Sequence, residues 1–249
     1  DSFSKMNLHF LSEFIKQESD LYLHGEYLNY QTTQDLGITI LTDTTERSPT
    51  FSLIPFENQL DQRKTPSLSY LMIQNSNSAE ESWRTLLRRD PRTFHWQEVT
   101  DQTSQKRLSG FDMSQNLTAL RRACVGKNPI TFHIEETKNG FRFSLKEYQA
   151  EVDLKELNFF SRQIVLKMMM NILSTLIMGR LGRYESNLMT WVRASNNKLI
   201  DRAVRYAQHL LEIQGHYIPY EELVFLCFQL KDKISRDEPL VLKLVEHYK

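Results

Sequence analysis

The chain has 249 residues, 40% apolar and 25% charged, a globular composition whose length fits one large domain or one domain with a small appendage. Lys+Arg and Asp+Glu both number 31, so no global field favours nucleic acid or an anionic membrane. The two cysteines, Cys124 and Cys227, lie far apart without metal-ligand spacing, which argues against a disulfide framework and a zinc site.

Residues 7–23 predict an amphipathic helix, with Leu8, Leu11, Phe14, Ile15, Leu21 and Tyr22 near the helical period and Gly25 as its C-cap. A short strand follows at 26–30, then a polar turn at 30–35 that holds no glycine. The β-branched residues of 36–46 favour a strand, which Pro49 would break. Residues 56–66 read as a polar surface loop and 68–73 as a strand. Ser78 with Glu81 forms a capping box for the next helix. Residues 93–96 read as a strand, 97–110 as loop and 114–124 as helix. Alternation on both sides of Asn139-Gly140 predicts a hairpin over 130–145.

From Asp153 the pattern is helical. Residues 166–181 are apolar almost all the way round, the mark of a buried helix, but Asn171, Ser174 and Thr175 interrupt the run, so it is no membrane span. Gly179 and Gly182 loosen or end it. Residues 184–213 predict a second long helix, Pro219 starts a third, and 238–248 form a fourth. Alternating helices and strands followed by a helical tail give an α/β sandwich with a small helical cap. The expected division is 1–214 for the α/β domain and 215–249 for the cap. His24, His95, His133, His209, His216 and His247 are scattered without ligand spacing, so no metal site is expected. Arg88-Arg89 and Arg121-Arg122 read as helix ends rather than a nucleic-acid stripe. The N-terminus lacks a signal-peptide pattern, so a cytoplasmic location is expected, and position 1 is Asp rather than Met, which admits a longer protein.

Lys198 and Arg202 lie four residues apart and share one helical face, where two cations repel unless an anion sits between them. Around them runs an ordered set of residues: Asn171-Ile172-Leu173-Ser174-Thr175, Leu181-Gly182, Asn187-Leu188-Met189, and Ser195-Asn196-Asn197-Lys198-Leu199 with Arg202. This set resembles the C-terminal helices of the sugar isomerase (SIS) domain in the bacterial N-acetylmuramic acid 6-phosphate etherases and the glucokinase regulatory protein. Residues 27–51 are similar to the first strand, glycine loop and helix of the same domain, with Leu36-Gly37, Asp43, Glu46 and Pro49-Thr50-Phe51 in register. The two segments cover under a third of the chain.

The resemblance implies a three-layer α/β/α sandwich with a flavodoxin-like, mostly parallel sheet, to which the hairpin would be an insertion. It implies a helix over 36–46, against the propensity reading. It also implies that the lobe works paired with a second SIS lobe, either a preceding domain or a homodimer mate. In the family a loop rich in Gly, Ser and Thr closes on the phosphate. Here 30–35 takes its place: Thr32 and Thr33 keep hydroxyls, the glycines are gone, and Asp35 would repel a phosphate. Glu46 falls on a catalytic glutamate of the etherases, with a solvated glutamate beside Arg47 as the alternative. Lys198 and Arg202, with Asn197 in the same motif, would reach a sugar phosphate held by the partner lobe. The alternative is a solvated basic face, with Asp201 and Arg205 beside it.

The expectation is a phosphosugar-binding SIS-type lobe, non-catalytic on its own, cytoplasmic, in amino-sugar metabolism, with no cofactor and no nucleic-acid or membrane partner. The enzyme alternative is an active N-acetylmuramic acid 6-phosphate etherase with Glu46 as acid/base. A third possibility is an inert dimerisation module.

Overall fold

Propensity and resemblance disagree over residues 36–46, and a computed structural model, which describes residues 6–62, 65–94 and 96–248, has a helix there. In chain order the elements are α1 (Leu11–Leu23), β1 (Leu28–Thr32), α2 (Gln34–Phe51), β2 (Ser69–Ile73), α3 (Ala79–Leu87), α4 (Thr100–Thr103), α5 (Gln105–Ser109) and α6 (Leu117–Val125). Then come β3 (Ile130–Glu136), β4 (Gly140–Leu145), β5 (Tyr148–Asp153), α7 (Phe159–Arg180), β6 (Tyr184–Glu185), β7 (Leu188–Met189), α8 (Asn197–Ile213), α9 (Tyr220–Leu230) and α10 (Leu240–Glu246).

The threonines of α2 do not force a strand, because their hydroxyls bond back along the helix. Thr44 donates to Ile40 O (2.9 Å), Thr45 to Leu41 O (3.0 Å) and Thr50 to Glu46 O (2.6 Å). Pro49 does not end the helix either. It sits in the last turn, so almost no helix follows the bond it interrupts, and α2 stops two residues later where Ser52 turns left-handed at φ 56°. Arg193 N–H donates to Pro49 O (3.0 Å) and Arg183 Nη1 to Phe51 O (2.8 Å), so two of the terminal carbonyls are satisfied.

Two compact units divide the chain: Asp1–Thr45 with Ile54–Ser174, and Glu46–Leu53 with Thr175–Lys249. The first holds a five-stranded sheet in the order β2-β1-β3-β4-β5. β1 pairs parallel with β2 and β3, while β4 and β5 extend the sheet antiparallel. On one face α1 lays Phe14 against Phe132 and Tyr148, with centroids at 5.0 and 4.7 Å, and buries Glu18, which accepts from Tyr30 Oη (2.5 Å). Gly37 brings α2 close to the sheet: a Cβ there would lie 2.9 Å from Ile73 Cδ1 and 2.5 Å from Leu86 Cδ1. On the opposite face α6 covers β2 through Thr118 at Met72 and Arg121 at Ser67. The sheet is therefore sandwiched between helices at β1 and β2, where the strands are buried on both faces. At β3–β5 the second face carries His133, Arg142 and Glu151, which keeps the alternating pattern of a half-exposed sheet.

The hairpin exists, but the Asn-Gly rule gives the wrong reason for it. Thr137 and Gly140 bond to each other across the turn (N–H of Thr137 to Gly140 O, 2.9 Å), so Lys138 and Asn139 occupy the corner. Neither takes a positive φ. Gly140 opens β4, and it must be glycine because a Cβ would meet Val152 O of β5 at 1.9 Å. The first hairpin strand, β3, is also more than an insertion, since it pairs with β1 at the centre of the sheet.

Other expectations change as well. The strand at 93–96 is absent among its described residues, with His95 outside them, and 97–110 folds as α4 and α5 on a Ser104 N-cap. The capping box is shifted by one: Ser78 Oγ accepts from Glu81 N–H (3.1 Å), and Glu81 returns to Asn77 N–H (2.7 Å). The loop at 56–66 is not all surface, because Glu57 and Asn58 are buried. Residues 184–189 form a small hairpin with Ser186 at φ 54°, so the helix predicted from 184 begins only at Asn197.

In the second unit α8, α9 and α10 share one apolar core, which includes Leu199, Val204, Leu211, Leu223, Cys227, Val241 and Val245. Burial pushes the Cys227 thiol up to about 11. Native protein at pH 8 is expected to present no more than one thiol to Ellman's reagent, and unfolded protein two. Cys227 stays protonated when folded, so its contribution to stability is complete below pH 9 and falls between pH 9 and about 11, where only the unfolded thiol ionises. Among the described residues no helix is long and apolar enough to cross a membrane.

Candidate functional site

Strand order reverses about β1, which has β2 on one side and β3 on the other. In open α/β sheets the crevice at such a reversal, beyond the carboxyl ends of the strands, is the usual ligand position. The segment 30–35 stands there. It is shorter than a loop, because β1 runs through Thr32 and α2 begins at Gln34, leaving Thr33 as the connector.

The chain's own groups occupy this crevice. Thr32 is fully buried and its hydroxyl donates to Ile134 O of β3 (2.7 Å), tying the two strand ends together. Asp35 lies in the first turn of α2, where a carboxylate meets the helix dipole, and pairs with Arg88, the left-handed C-cap of α3. Gln163 of α7 accepts from Thr39 Oγ1 (2.7 Å) and donates to Asp35 O (3.2 Å). Thr33 remains half-buried at the connector. The helix start that would otherwise receive an anion is thus met by a side-chain carboxylate.

The second cluster lies at the start of α8. Asn196 caps the helix, its Oδ1 accepting from Leu199 N–H (3.1 Å), so Asn197 and Lys198 fall in the first turn and are exposed. Arg202, one turn on, is half-buried. Asp201 does not neutralise them. It accepts from Tyr220 Oη (2.7 Å) and from Arg205 Nε (2.9 Å), which hold its carboxyl below the usual range. Tyr220 is raised in turn, first by its bond to Asp201. Among the described residues Lys198 and Arg202 form no ion pair.

Glu46 is exposed on α2, followed directly by the buried Arg47. Ser174, inside α7, donates to Asn171 O (3.2 Å), as its position in an apolar helix predicts. Sequence reasoning missed Arg121 and Glu57, which form a buried pair. The signal was present in Arg121, four residues after Leu117 and so on the apolar side of α6. It also missed Arg193 and Arg236, which carry no local pattern.

The chain thus presents an α/β sandwich whose first strand-end helix start carries an acid–base pair, Asp35 with Arg88, and whose α8 start carries cations without an ion pair among the described residues. No family model matches the chain. Over 48 residues it is 48% identical to N-acetylmuramic acid 6-phosphate etherase of Synechococcus sp. (strain CC9902), a match covering 19% of this chain and 15% of that protein. The etherase of Clostridium acetobutylicum is 42% identical over 48 residues, 19% of this chain and 16% of its own length. The likeness is to a segment, well short of two thirds of either relative.

Proposed function

We propose that this chain is a phosphosugar-binding lobe of the SIS type, non-catalytic on its own, comparable to the degenerate second lobe of the glucokinase regulatory protein branch. It pairs with a second SIS lobe, in a longer protein or as a second copy, and lends Lys198, Arg202 and Asn197 to the sugar-phosphate site completed there. Such a lobe serves sugar-phosphate sensing in the cytoplasm.

The observation that carries this reading is the cation pair at the start of α8, left without an acid because Asp201 is taken by Arg205 and Tyr220. The partial likeness to two etherases supports a phosphorylated amino sugar as the ligand class. The committed Thr32 hydroxyl and the Asp35 carboxylate at the start of α2 support assigning the phosphate cradle to the partner lobe and the contacting cations to this one.

In the assembled two-lobe protein, Lys198→Ala is expected to weaken N-acetylmuramic acid 6-phosphate binding by about tenfold, the worth of one charge-assisted hydrogen bond, and K198A/R202A by more. An unchanged calorimetric Kd sinks the reading. Release of lactate from that substrate by the chain alone, lost in Glu46→Gln, would place it with the active etherases instead. Pairing without binding would mark an inert dimerisation module.

A further inference from the structure

A cleft of about 290 Å³ lies wholly within the second unit, lined by Ser52, the segment 192–194 and the stretch between α9 and α10. Five charged side chains line it: Arg193, Lys231, Asp232, Arg236 and Glu238. The two acids are already matched. Asp232 pairs with Lys231 at 2.7 Å. Glu238 accepts from Ser235 N–H (2.8 Å) and lies 3.7 Å from Lys243. The neighbouring acid Asp237 acts on Arg183, which burial weakens as a cation and which stacks on Trp191 at 4.0 Å. What is left over is positive: Arg193 and Arg236 are both exposed and form no ion pair among the described residues.

Two guanidiniums bordering one recess repel each other, and an anion between them removes that cost. Arg is also the side chain suited to gripping phosphate oxygens in a forked geometry. The recess is small, near the lower limit of about 300 Å³ for small-molecule sites, so it suits a compact phosphate ester or pyrophosphate group better than a nucleotide. Hydrogen bonds hold the segments around it. Arg193 N–H holds Pro49 O, Val241 N–H holds Thr190 O (3.1 Å), and Arg183 holds Phe51 O beside the left-handed Ser52.

We infer that this cleft is a second anion site, separate from the start of α8, which takes a compact phosphorylated small molecule between Arg193 and Arg236. The inference is independent of the reading proposed for Lys198 and Arg202.

Inorganic pyrophosphate, titrated calorimetrically into the full chain at low salt, tests it. Saturable binding is expected, weakened at least about tenfold in R193Q/R236Q and retained in K198A/R202A. Both arginines are exposed, so the double variant is expected to melt with the parent; if it does not, Arg236→Gln alone, on the α9–α10 stretch, carries the test. Absence of saturable binding up to about 10 mM overturns the inference. So does binding that R193Q/R236Q leaves intact. A loss confined to K198A/R202A would move the anion to α8, overturning this site while leaving the reading of α8 in place.

Discussion

Arg121→Ala is expected to destabilise the sheet-bearing unit by about 3–5 kcal/mol, the cost of leaving a buried charge without its partner. Arg121 and Glu57 have side chains 1% and 2% exposed. Arg121 Nη1 donates to both Glu57 oxygens, at 2.7 and 2.8 Å, and to Ser67 Oγ at 2.8 Å, while Nη2 donates to Ser67 O at 2.8 Å. Its guanidinium lies over the rings of Tyr70 and Tyr27, with centroids at 5.5 and 5.8 Å. Glu57 also accepts from Ser67 N–H (2.6 Å), and its carbonyl accepts from Tyr70 Oη (3.1 Å). Burial first, and then the Glu57 charge, raise Tyr70 well above the usual phenol value.

The pair fastens the segment before β2 to α6, so its loss should unlatch that edge of the sheet. Urea unfolding measures the change as a lower midpoint. The double variant E57Q/R121M is expected to cost less than the sum of the single changes, because it removes both charges together. A midpoint shift in R121A worth under about 1 kcal/mol would mean that the pair is hydrated and adds little.

Phe14→Ala is expected to cost about 3–5 kcal/mol, the range for emptying a buried aromatic site. Phe14 is fully buried and stands at the centre of an aromatic cluster. Its ring stacks on Phe132 of β3 at 5.0 Å, meets Tyr148 of β5 edge-on at 4.7 Å and lies 6.0 Å from Phe143 of β4. One residue thus fixes α1 to three strands. Phe14→Leu keeps most of the apolar volume and should recover more than half of the loss. Equal midpoints for the Ala and Leu variants would show that α1 docks through its other contacts.

The sequence by itself determined the local features. The alternation about residue 139 and the capping serine at 78 appear as a hairpin and a helix start, because period and cap depend on neighbours a few residues away. The cation pair at 198 and 202 was equally legible, since helical spacing puts both on one side. Tertiary structure decided the rest. The burial of Arg121 is hinted at by its side of α6, but Glu57 stands 64 residues away, so nothing local names it as the partner. Gly140 looks like a turn residue, yet its requirement comes from the β5 backbone across the ladder. Whether a charge is balanced depends on which acids the fold has already committed. For that reason the unbalanced charge of Lys198 and Arg202, and that of Arg193 and Arg236, emerges only once Asp201, Asp232 and Glu238 are assigned to other partners.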